Sequence, residues 1–175
     1  MITILKQTPG IYLIGFMGSG KTTIGRALAE RLGWRLIDID EDIEGSEKVA
    51  ISEIFSSRGE EEFRRLETEA IRRRVMEIRS GRASVMSVGG GAYTREENRH
   101  LMDDHGVTIW LDCPLQLAQQ RVAGAEHRPL ARDPERFAEL FEARRPIYAL
   151  AQYRVDVTTD DPEQGAQAIL RLGLL

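Results

Sequence analysis

Residues 15–22 constrain the fold of this chain more than any other part of its sequence. They read Gly-Phe-Met-Gly-Ser-Gly-Lys-Thr and match the phosphate-binding pattern G-x-x-x-x-G-K-[ST] at every fixed position. Glycines let the backbone curl tightly, so that successive N–H groups point into one concavity and bind phosphate oxygens. In this pattern Lys21 reaches the β- and γ-phosphates, and the hydroxyl of Thr22 ligates Mg²⁺.

The sequence on either side of this loop predicts a strand before it and a helix after it. Residues 11–14 are apolar and favour β-structure, which is typical of a buried strand. Over residues 21–32 the apolar side chains fall on one helical face, and Gly33 suits the position after a helix end. The N-terminus of such a helix favours a bound phosphate electrostatically. This context favours a phosphate-binding loop over a glycine-rich turn with an unrelated lysine.

Length, charge and cysteine content narrow the class of protein. With 175 residues the chain suits a single domain that buries a substantial core. Its formal charge of −4 provides no general attraction to nucleic acid or to anionic membranes, and we expect neither as a partner. The one cysteine, Cys113, excludes an internal disulfide, fits a reducing compartment and is expected to be buried at a strand end. Because Lys6 interrupts the apolar residues 2–5 and no apolar run reaches about 18 residues, we expect no signal peptide, no membrane span and a cytoplasmic location.

The remaining sequence alternates predicted strands with predicted helices. Such an alternation favours a parallel α/β sheet with right-handed crossovers, in which ligands bind at the carboxyl ends of the strands. Thr94 is predicted to cap one helix, Pro134 to begin another, and Pro146 to kink or end it. The strands are predicted at residues 11–14, 35–40, 83–88, 107–111 and 153–157, and the helices near 21–32, 52–55, 60–79, 95–105, 114–123, 134–146 and 162–172.

Two acids and three glycines follow predicted strands and should therefore lie at the ligand-binding edge of the sheet. Asp38 and Asp40 are two residues apart at the end of the second strand, and they point the same way if the strand persists. Beside a triphosphate, one carboxylate would serve near Mg²⁺ and the other at an acceptor hydroxyl; the alternative is a solvated turn. Gly89, Gly90 and Gly91 directly follow the third strand, which indicates close backbone approach to a ligand or else a flexible turn.

Arginines and histidines reveal no site by composition alone. Arg64, Arg128 and Arg144 each have the character of ordinary surface charges, because arginine is mostly exposed. The three histidines form no recognisable metal-ligand pattern, and we expect them in loops or at the surface.

Six motifs, in their order and spacing, resemble those of the shikimate kinases, P-loop enzymes related to nucleoside-monophosphate kinases. The first motif is shared by many NTPases, whereas the ordered set is specific, and the resemblance covers about residues 10–170. The motifs are Gly-Phe-Met-Gly-Ser-Gly-Lys-Thr (15–22), Asp-Ile-Asp (38–40), Glu-Phe-Arg-Arg-Leu-Glu (62–67), Val-Gly-Gly-Gly-Ala (88–92), His-Arg-Pro-Leu (127–130) and Arg-Arg-Pro-Ile-Tyr (144–148).

The resemblance implies a single domain, residues 1–175, with the three-layer α/β fold of P-loop kinases. Its five-stranded parallel sheet would have the strand order 2-3-1-4-5 and would be flanked by helices. The resemblance also divides the chain into a core at about 10–40, 83–123 and 135–172, a helical substrate-binding subdomain at about 41–80 and a mobile lid at about 124–134.

The activity implied is transfer of the γ-phosphoryl group of ATP to the 3-hydroxyl of shikimate, in the route to chorismate and aromatic amino acids. Lys21, Asp40 and Arg128 would be catalytic, with Arg128 on the lid. Mg²⁺ would be held by Thr22 and, through water, by Asp38. The implied ATP contacts are Gly18, Ser19, Gly20, Lys21, Thr22, Thr23, Arg121, Arg128 and Pro162, of which Arg121 and Pro162 would flank the adenine. The implied shikimate contacts are Asp40 at the reacting hydroxyl, Arg64 and Arg144 at the carboxylate, and the backbone of Gly89, Gly90 and Gly91.

The sequence departs from the family pattern in three places. The glycine that relatives carry within residues 45–50 is here shifted to Gly45. Asp160 stands where some relatives have an arginine near the adenine, which predicts weaker or less selective base binding. The lid is also short.

Two other functions stay open at the level of the sequence. One is another small-metabolite kinase on the same fold, such as a gluconate or nucleotide kinase, because two arginines also suit the carboxylate of gluconate. The pairing of Glu-Phe-Arg-Arg with three glycines argues against it. The other is a nucleotide-binding module without catalysis, against which the intact Lys21, Thr22, Asp38 and Asp40 argue. We expect a monomer that acts on a small molecule.

Overall fold

The computed structural model describes residues 10–125 and 129–174. Within these residues, five parallel strands form one sheet in the order β2-β3-β1-β4-β5, which confirms the predicted topology. In the centre of the sheet, Ile11 pairs with Val85 on one side and with Val107 on the other. The strands are β1 (Gly10–Ile14), β2 (Arg35–Asp38), β3 (Ser84–Ser87), β4 (Val107–Asp112) and β5 (Tyr153–Asp156).

Helices alternate with the strands, as the sequence predicts. Three of these helix ends show the expected chemistry: Gly33 adopts a left-handed conformation (φ 65°) after the first helix, and the side chains of Asp133 and Asp161 cap the last two. The helices are α1 (Lys21–Leu32), α2 (Ile39–Glu47), α3 (Ile51–Arg58), α4 (Glu60–Arg79), α5 (Glu96–Asp103), α6 (Leu115–Val122), α7 (Pro134–Tyr148) and α8 (Pro162–Leu170), with short 3₁₀ turns at Ala92–Thr94 and Pro129–Arg132.

The core is built around β1, whose five residues are all buried. Because side chains alternate along a strand, this pattern requires cover on both faces of the sheet. Helix α1 packs against β2 and β3, α4 packs against β1, and α5 packs against β4. The buried position of Cys113 just after β4 confirms its expected place at a strand end.

Two local predictions are wrong. The strand predicted at residues 35–40 ends at Asp38, because the carboxylate of Asp38 accepts the N–H of Asp40 at 2.9 Å and so caps a new helix. Asp40 therefore lies in the first turn of α2 and not on a strand. Arg95, not Thr94, occupies the cap position of α5, since the hydroxyl of Thr94 donates to the Gly91 carbonyl within the preceding 3₁₀ turn. Pro146 lies inside α7, which continues to Tyr148, so the proline does not end the helix, and the kink stays a prediction.

The division of the chain into core, substrate-binding subdomain and lid stays a prediction. In residues 10–125 and 129–174, no helix combines the length and apolar character needed to cross a membrane.

The end of α2 shows a conflict between residue type and backbone conformation. Lys48 has φ 61° and ψ 22°, and it is the one residue other than glycine with a positive φ in the described part of the chain. Its N–H donates to the Glu44 carbonyl at 2.9 Å, as in a common helix ending that glycine favours. Gly45 instead lies within the helix, where glycine is unfavourable. A lysine, and not a glycine, thus occupies the left-handed position at the end of α2.

We predict that Lys48→Gly raises the free energy of unfolding by about 0.5–1 kcal/mol, because glycine adopts this conformation without steric strain. Lys48→Ala is the control, since it removes the side chain but keeps the strain. Gly45→Ala should also stabilise the fold by about 0.5–1 kcal/mol, because a Cβ at this position meets no atom within 4 Å. The free energy of unfolding of the wild type and of the three variants is measured by urea denaturation. Equal stabilisation by Lys48→Gly and Lys48→Ala would contradict the backbone explanation.

Candidate active site

The phosphate-binding loop joins β1 to α1 and encloses a lysine ammonium group. Gly18 and Gly20 have φ 79° and 90°, and a Cβ at Gly18 would lie 2.7 Å from the Ala118 carbonyl oxygen of α6. No other residue type fits there without displacing α6. The Nζ atom of Lys21 donates to the carbonyl oxygens of Gly15 and Phe16 at 2.8 and 2.9 Å. The loop therefore holds a positive charge at its mouth.

A hydroxyl and a carboxylate lie together at the start of α1. The hydroxyl of Thr22 donates to Asp38 Oδ2 at 2.7 Å, and the Ser87 hydroxyl lies 3.4 Å from the Thr22 oxygen. Within the described ranges, no three His, Cys, Asp or Glu side chains form a ready-made metal site. Mg²⁺ is nevertheless commonly held by one or two protein oxygens together with phosphate oxygens and water. Thr22 and Asp38 fit that requirement.

Arg121 of α6 reaches across the loop to the segment after β5. Its Nη1 donates to the Gly18 carbonyl at 3.0 Å, its Nη2 to the Thr159 carbonyl at 2.8 Å and its Nε to Asp160 at 3.0 Å. Asp160 therefore has this arginine as its partner. The other predicted nucleotide contacts are Pro162, the half-buried first residue of α8, and Thr23, whose exposed hydroxyl donates to the Gly20 carbonyl at 3.2 Å.

Two arginines lie against the glycine loop that follows β3. A Cβ at Gly90 would lie 3.3 Å from Nη1 of Arg144, and a Cβ at Gly91 would collide with the guanidinium of Arg64. Gly91 is therefore required for the approach of Arg64. These arginines lie on α4 and α7, far apart in sequence, and the fold brings both to one loop.

Asp40 faces the same loop. Its Oδ1 lies 3.5 Å from the position that a Cβ on Gly89 would occupy. Since β1 and β3 are neighbours and parallel, the glycine loop and the phosphate loop follow adjacent strands at the same edge of the sheet.

Sequence reasoning missed Glu67, which is fully buried beside Arg64. Arg64 Nη1 donates to Glu67 Oε1 at 2.8 Å, while Oε2 has no hydrogen-bond partner among the described residues and lies 2.8 Å from a Cβ position at Gly89. Burial raises the pKa of the Glu67 carboxyl above its ordinary value of 4.5, and the charge of Arg64 opposes that rise. A carboxylate on the buried face of α4, three residues after an arginine, was the signal.

Tyr148 was also missed, although the sixth motif contains it. Its hydroxyl donates to the Gly90 carbonyl at 2.5 Å. Burial raises the pKa of Tyr148 to about 12, so that the phenol stays protonated and keeps this hydrogen bond. The contact connects α7, which bears Arg144, to the glycine loop. Arg128, the predicted catalytic residue of the lid, lies outside the described residues.

The fold and the site together define a class of protein. A phosphate-binding loop after the central strand, with a lysine at its end and a threonine–carboxylate pair beside it, is the arrangement of P-loop phosphotransferases. Beside it, two arginines from α4 and α7 lie against the glycine loop that follows the neighbouring strand, and paired guanidinium groups are suited to an anionic ligand.

Comparison with known proteins narrows the class. The family model described as "Shikimate kinase" matches residues 17–172. A curated shikimate kinase from Persephonella marina is 43% identical over 161 residues, which cover 91% of this chain and 96% of that protein. A solved shikimate kinase from Acinetobacter baumannii, in complex with shikimate, is 38% identical and superposes with a TM-score of 0.86 over 95% of this chain and 93% of that one. The chain belongs to the shikimate kinase family.

A more distant match shares the fold. A gluconokinase from Sinorhizobium meliloti is 21% identical and superposes with a TM-score of 0.58, over 95% of this chain and 94% of that chain. At this level of identity the similarity shows a shared fold alone.

Glu67 generates a prediction about pH. Its raised pKa means that the folded state binds the proton more tightly than the unfolded state. Stability from this group is therefore present below pH 4.5 and is lost as pH rises through the raised folded-state pKa. Glu67→Gln has no such titration. We expect the stability of the wild type to fall relative to Glu67→Gln as pH increases from about 4 to about 8, measured by urea unfolding.

The control for this experiment is Glu69→Gln, which removes an exposed carboxylate from the same helix and makes the same change in net charge. A stability difference between wild type and Glu67→Gln that stays constant over this pH range would contradict the raised pKa.

Proposed function

We propose that this chain catalyses the ATP-dependent phosphorylation of shikimate at its 3-hydroxyl, which gives shikimate 3-phosphate in the route to chorismate and aromatic amino acids. Its membership of the shikimate kinase family supports this function. The structural observation that supports it most is that the phosphate-binding loop and the glycine loop follow adjacent strands, with Arg64 and Arg144 packed against the glycine loop. A phosphoryl donor and an anionic acceptor would thus meet in one crevice.

On the donor side, Lys21 and the N–H groups of Gly18, Ser19 and Gly20 would bind the phosphates of ATP. Thr22 and Asp38 would hold Mg²⁺, which supplies positive charge to the transferring group when bound. Lys21 would exchange its carbonyl partners, Gly15 and Phe16, for phosphate oxygens. Phosphoryl transfer needs alignment and charge neutralisation above all, and these groups provide both.

On the acceptor side, Asp40 would accept the proton of the reacting hydroxyl. Its place in the first turn of α2 directs it toward the glycine loop, and Asp38, two residues earlier, is already engaged by Thr22. The two acids therefore have separate tasks, one near the metal and one at the acceptor.

The carboxylate of shikimate would be bound by Arg64 and Arg144. A planar guanidinium group matches a carboxylate with two parallel hydrogen bonds. The guanidinium of Arg64 stacks on Phe63 with 5.2 Å between Cζ and the ring centroid, and that of Arg144 stacks on Phe16 at 5.7 Å. Side chains restrained in this way lose little further entropy when they bind a ligand.

The remaining parts of the proposal follow the family resemblance. Arg128 would close over the transferred phosphate from a lid at residues 124–134, residues 41–80 would form the substrate-binding subdomain, and Arg121 and Pro162 would flank the adenine. We also propose a monomer in the cytoplasm with no nucleic-acid or membrane partner. The net charge of −4 and the single, buried free cysteine support this last proposal.

A coupled assay of ADP release, with and without shikimate, tests the function. We expect release to depend on both shikimate and Mg²⁺, and to be lost in Lys21→Met, which keeps the side-chain volume but removes the charge. ADP release that is indifferent to shikimate, or that gluconate stimulates instead, would overturn the proposal.

For Asp40 we predict that Asp40→Asn lowers kcat by about 10²-fold or more, because an amide cannot accept the hydroxyl proton. The affinity for ATP should stay within about twofold, since Asp40 faces the glycine loop and not the phosphate loop. Glu41→Gln, an exposed substitution in the same helical turn, is the matched control. Normal turnover in Asp40→Asn would place the proton acceptor elsewhere.

For the arginines we predict a selective loss of substrate affinity. A hydrogen bond to an ionised group contributes about 1.5–3 kcal/mol, so Arg64→Ala or Arg144→Ala should weaken shikimate binding by about tenfold to a hundredfold. Arg65→Ala is the control, because the neighbouring Arg65 is exposed and pairs with Glu62 and Glu69.

An uncharged analogue of shikimate, with a hydroxymethyl group in place of the carboxylate, completes the measurement as a double-mutant cycle. It should bind the wild type poorly and should be almost indifferent to Arg64→Ala or Arg144→Ala. Equal losses for shikimate and the analogue would show that the arginine acts by packing and not by binding the carboxylate.

A further inference from the structure

The guanidinium group of Arg121 is held at three points by groups that belong to two different loops. Its Nη1 donates to the carbonyl of Gly18 in the phosphate loop, while its Nη2 and Nε donate to Thr159 and Asp160 in the loop after β5. The arginine side chain is 22% exposed, whereas that of Asp160 is 78% exposed. Arg121 thus bridges the phosphate loop to a segment of chain about 140 residues away.

The outer side of the phosphate loop is in close contact with α6 at Gly18. A Cβ on Gly18 would lie 2.7 Å from the Ala118 carbonyl oxygen, and the thiol of Cys113 lies 3.9 Å from the same Gly18 oxygen that accepts from Arg121. The carbonyl of Gly18 therefore points toward α6, away from the concave side of the loop. In a trans peptide the C=O and N–H groups point in opposite directions. The N–H of Ser19 accordingly points into the loop, where it donates to the Phe16 carbonyl at 3.2 Å.

Peptide orientation decides whether such a loop binds phosphate. N–H groups that converge on an anion attract it, whereas a carbonyl turned inward repels it. Glycine has the greatest backbone freedom of any residue, so the peptides around Gly18 and Gly20 need an external restraint to stay in one orientation. The hydrogen bond from Arg121 is such a restraint on the Gly18 peptide.

We propose that Arg121 is a positioning residue of the phosphate loop, and that Asp160 orients Arg121 for this task. Arg121 keeps the Gly18 carbonyl turned outward and so keeps the loop ready for a triphosphate before any base is bound. The inference rests on the proposed function only in so far as the loop binds a nucleoside triphosphate. It differs from contact with the adenine, because such contact uses the flat face of the guanidinium, whereas the loop is held by its N–H groups.

Inorganic triphosphate, which has no base, separates the two roles. We expect Arg121→Ala to weaken the binding of both inorganic triphosphate and ATP by a similar factor of about threefold to thirtyfold, measured by calorimetry in the presence of Mg²⁺. A variant that binds inorganic triphosphate as tightly as the wild type, but binds ATP more weakly, would overturn the proposal and leave Arg121 as a base contact alone.

Arg31→Ala controls for a general loss of stability. Arg31 pairs with Glu163 at 2.5 Å and so connects α1 to α8 at the surface without contacting the phosphate loop. The Arg31→Ala variant should therefore leave the affinities for inorganic triphosphate and for ATP unchanged.

The Arg121→Lys variant keeps the positive charge, but lysine cannot reach all three acceptors at once. It should therefore lose most of the affinity that Arg121→Ala loses. If Arg121→Lys binds inorganic triphosphate like the wild type, charge alone is sufficient and the positioning role is wrong.

Substitutions of Asp160 distinguish an effect of its charge from an effect of its hydrogen bond to Arg121, because the two effects change the affinity for triphosphate in opposite directions. Removal of a negative charge near an anion site should by itself tighten the binding of inorganic triphosphate. We expect Asp160→Ala to weaken it instead by about twofold to fivefold, because Arg121 loses an acceptor. Asp160→Asn keeps an oxygen acceptor and should not weaken binding. Equal tightening in Asp160→Ala and Asp160→Asn would mean that Asp160 acts only through long-range charge, and would overturn its part of the proposal.

None of these measurements needs shikimate. If the ADP-release assay shows no dependence on shikimate while inorganic triphosphate still distinguishes Arg121→Ala from Arg31→Ala, the acceptor is misassigned and the positioning role stands. If the ADP-release assay succeeds and Arg121→Ala binds inorganic triphosphate normally, the function stands and the positioning role fails.

Discussion

The tight backbone of the phosphate loop is the constraint on which the rest of the site depends. Its N–H groups can converge on an anion only if the loop is held rigidly between β1 and α1. Complete burial of β1 holds one end, and close contact between Gly18 and Ala118 of α6 holds the middle. Lys21 closes the loop from within through two carbonyls. Because the residues with positive φ in this loop are glycines, the conformation costs backbone freedom and not steric strain.

The acceptor side depends on a different principle, the cost of burying charge. The charge of a fully buried carboxyl group such as that of Glu67 is costly, and the neighbouring charge of Arg64 opposes that cost. Glu67 in turn restrains Arg64, while Tyr148 fixes the glycine loop between the two arginines by its bond to the Gly90 carbonyl. The groups proposed to bind the substrate are thus held in place before it arrives, which lowers the entropy lost on binding.

The end of α2 shows how far tertiary structure overrides local preference. Gly45 is unfavourable within a helix, and Lys48 is unfavourable in a left-handed turn. Helix α2 nevertheless includes Gly45, ends just before Lys48 and packs against α3 and α4. The position of α2 matters more than its own ending, because its first turn presents Asp40 to the glycine loop. Natural proteins keep local conflicts of this kind where the surrounding packing compensates for them.

The sequence by itself determined the order of strands and helices, the phosphate loop and the ends of α1 and α4, because hydrophobic periodicity and glycine position are local properties. Tertiary structure decided which residues that are distant in sequence contact each other. The cap made by Asp38 moved Asp40 from a strand into a helix, and the burial of Glu67 beside Arg64 depends on how α4 packs. Arg64 and Arg144 were assigned by family resemblance, since composition alone places arginine at the surface. The pairing of Arg121 with Asp160, 39 residues away, has no local pattern, because it arises only when α6 and the loop after β5 meet across the edge of the sheet.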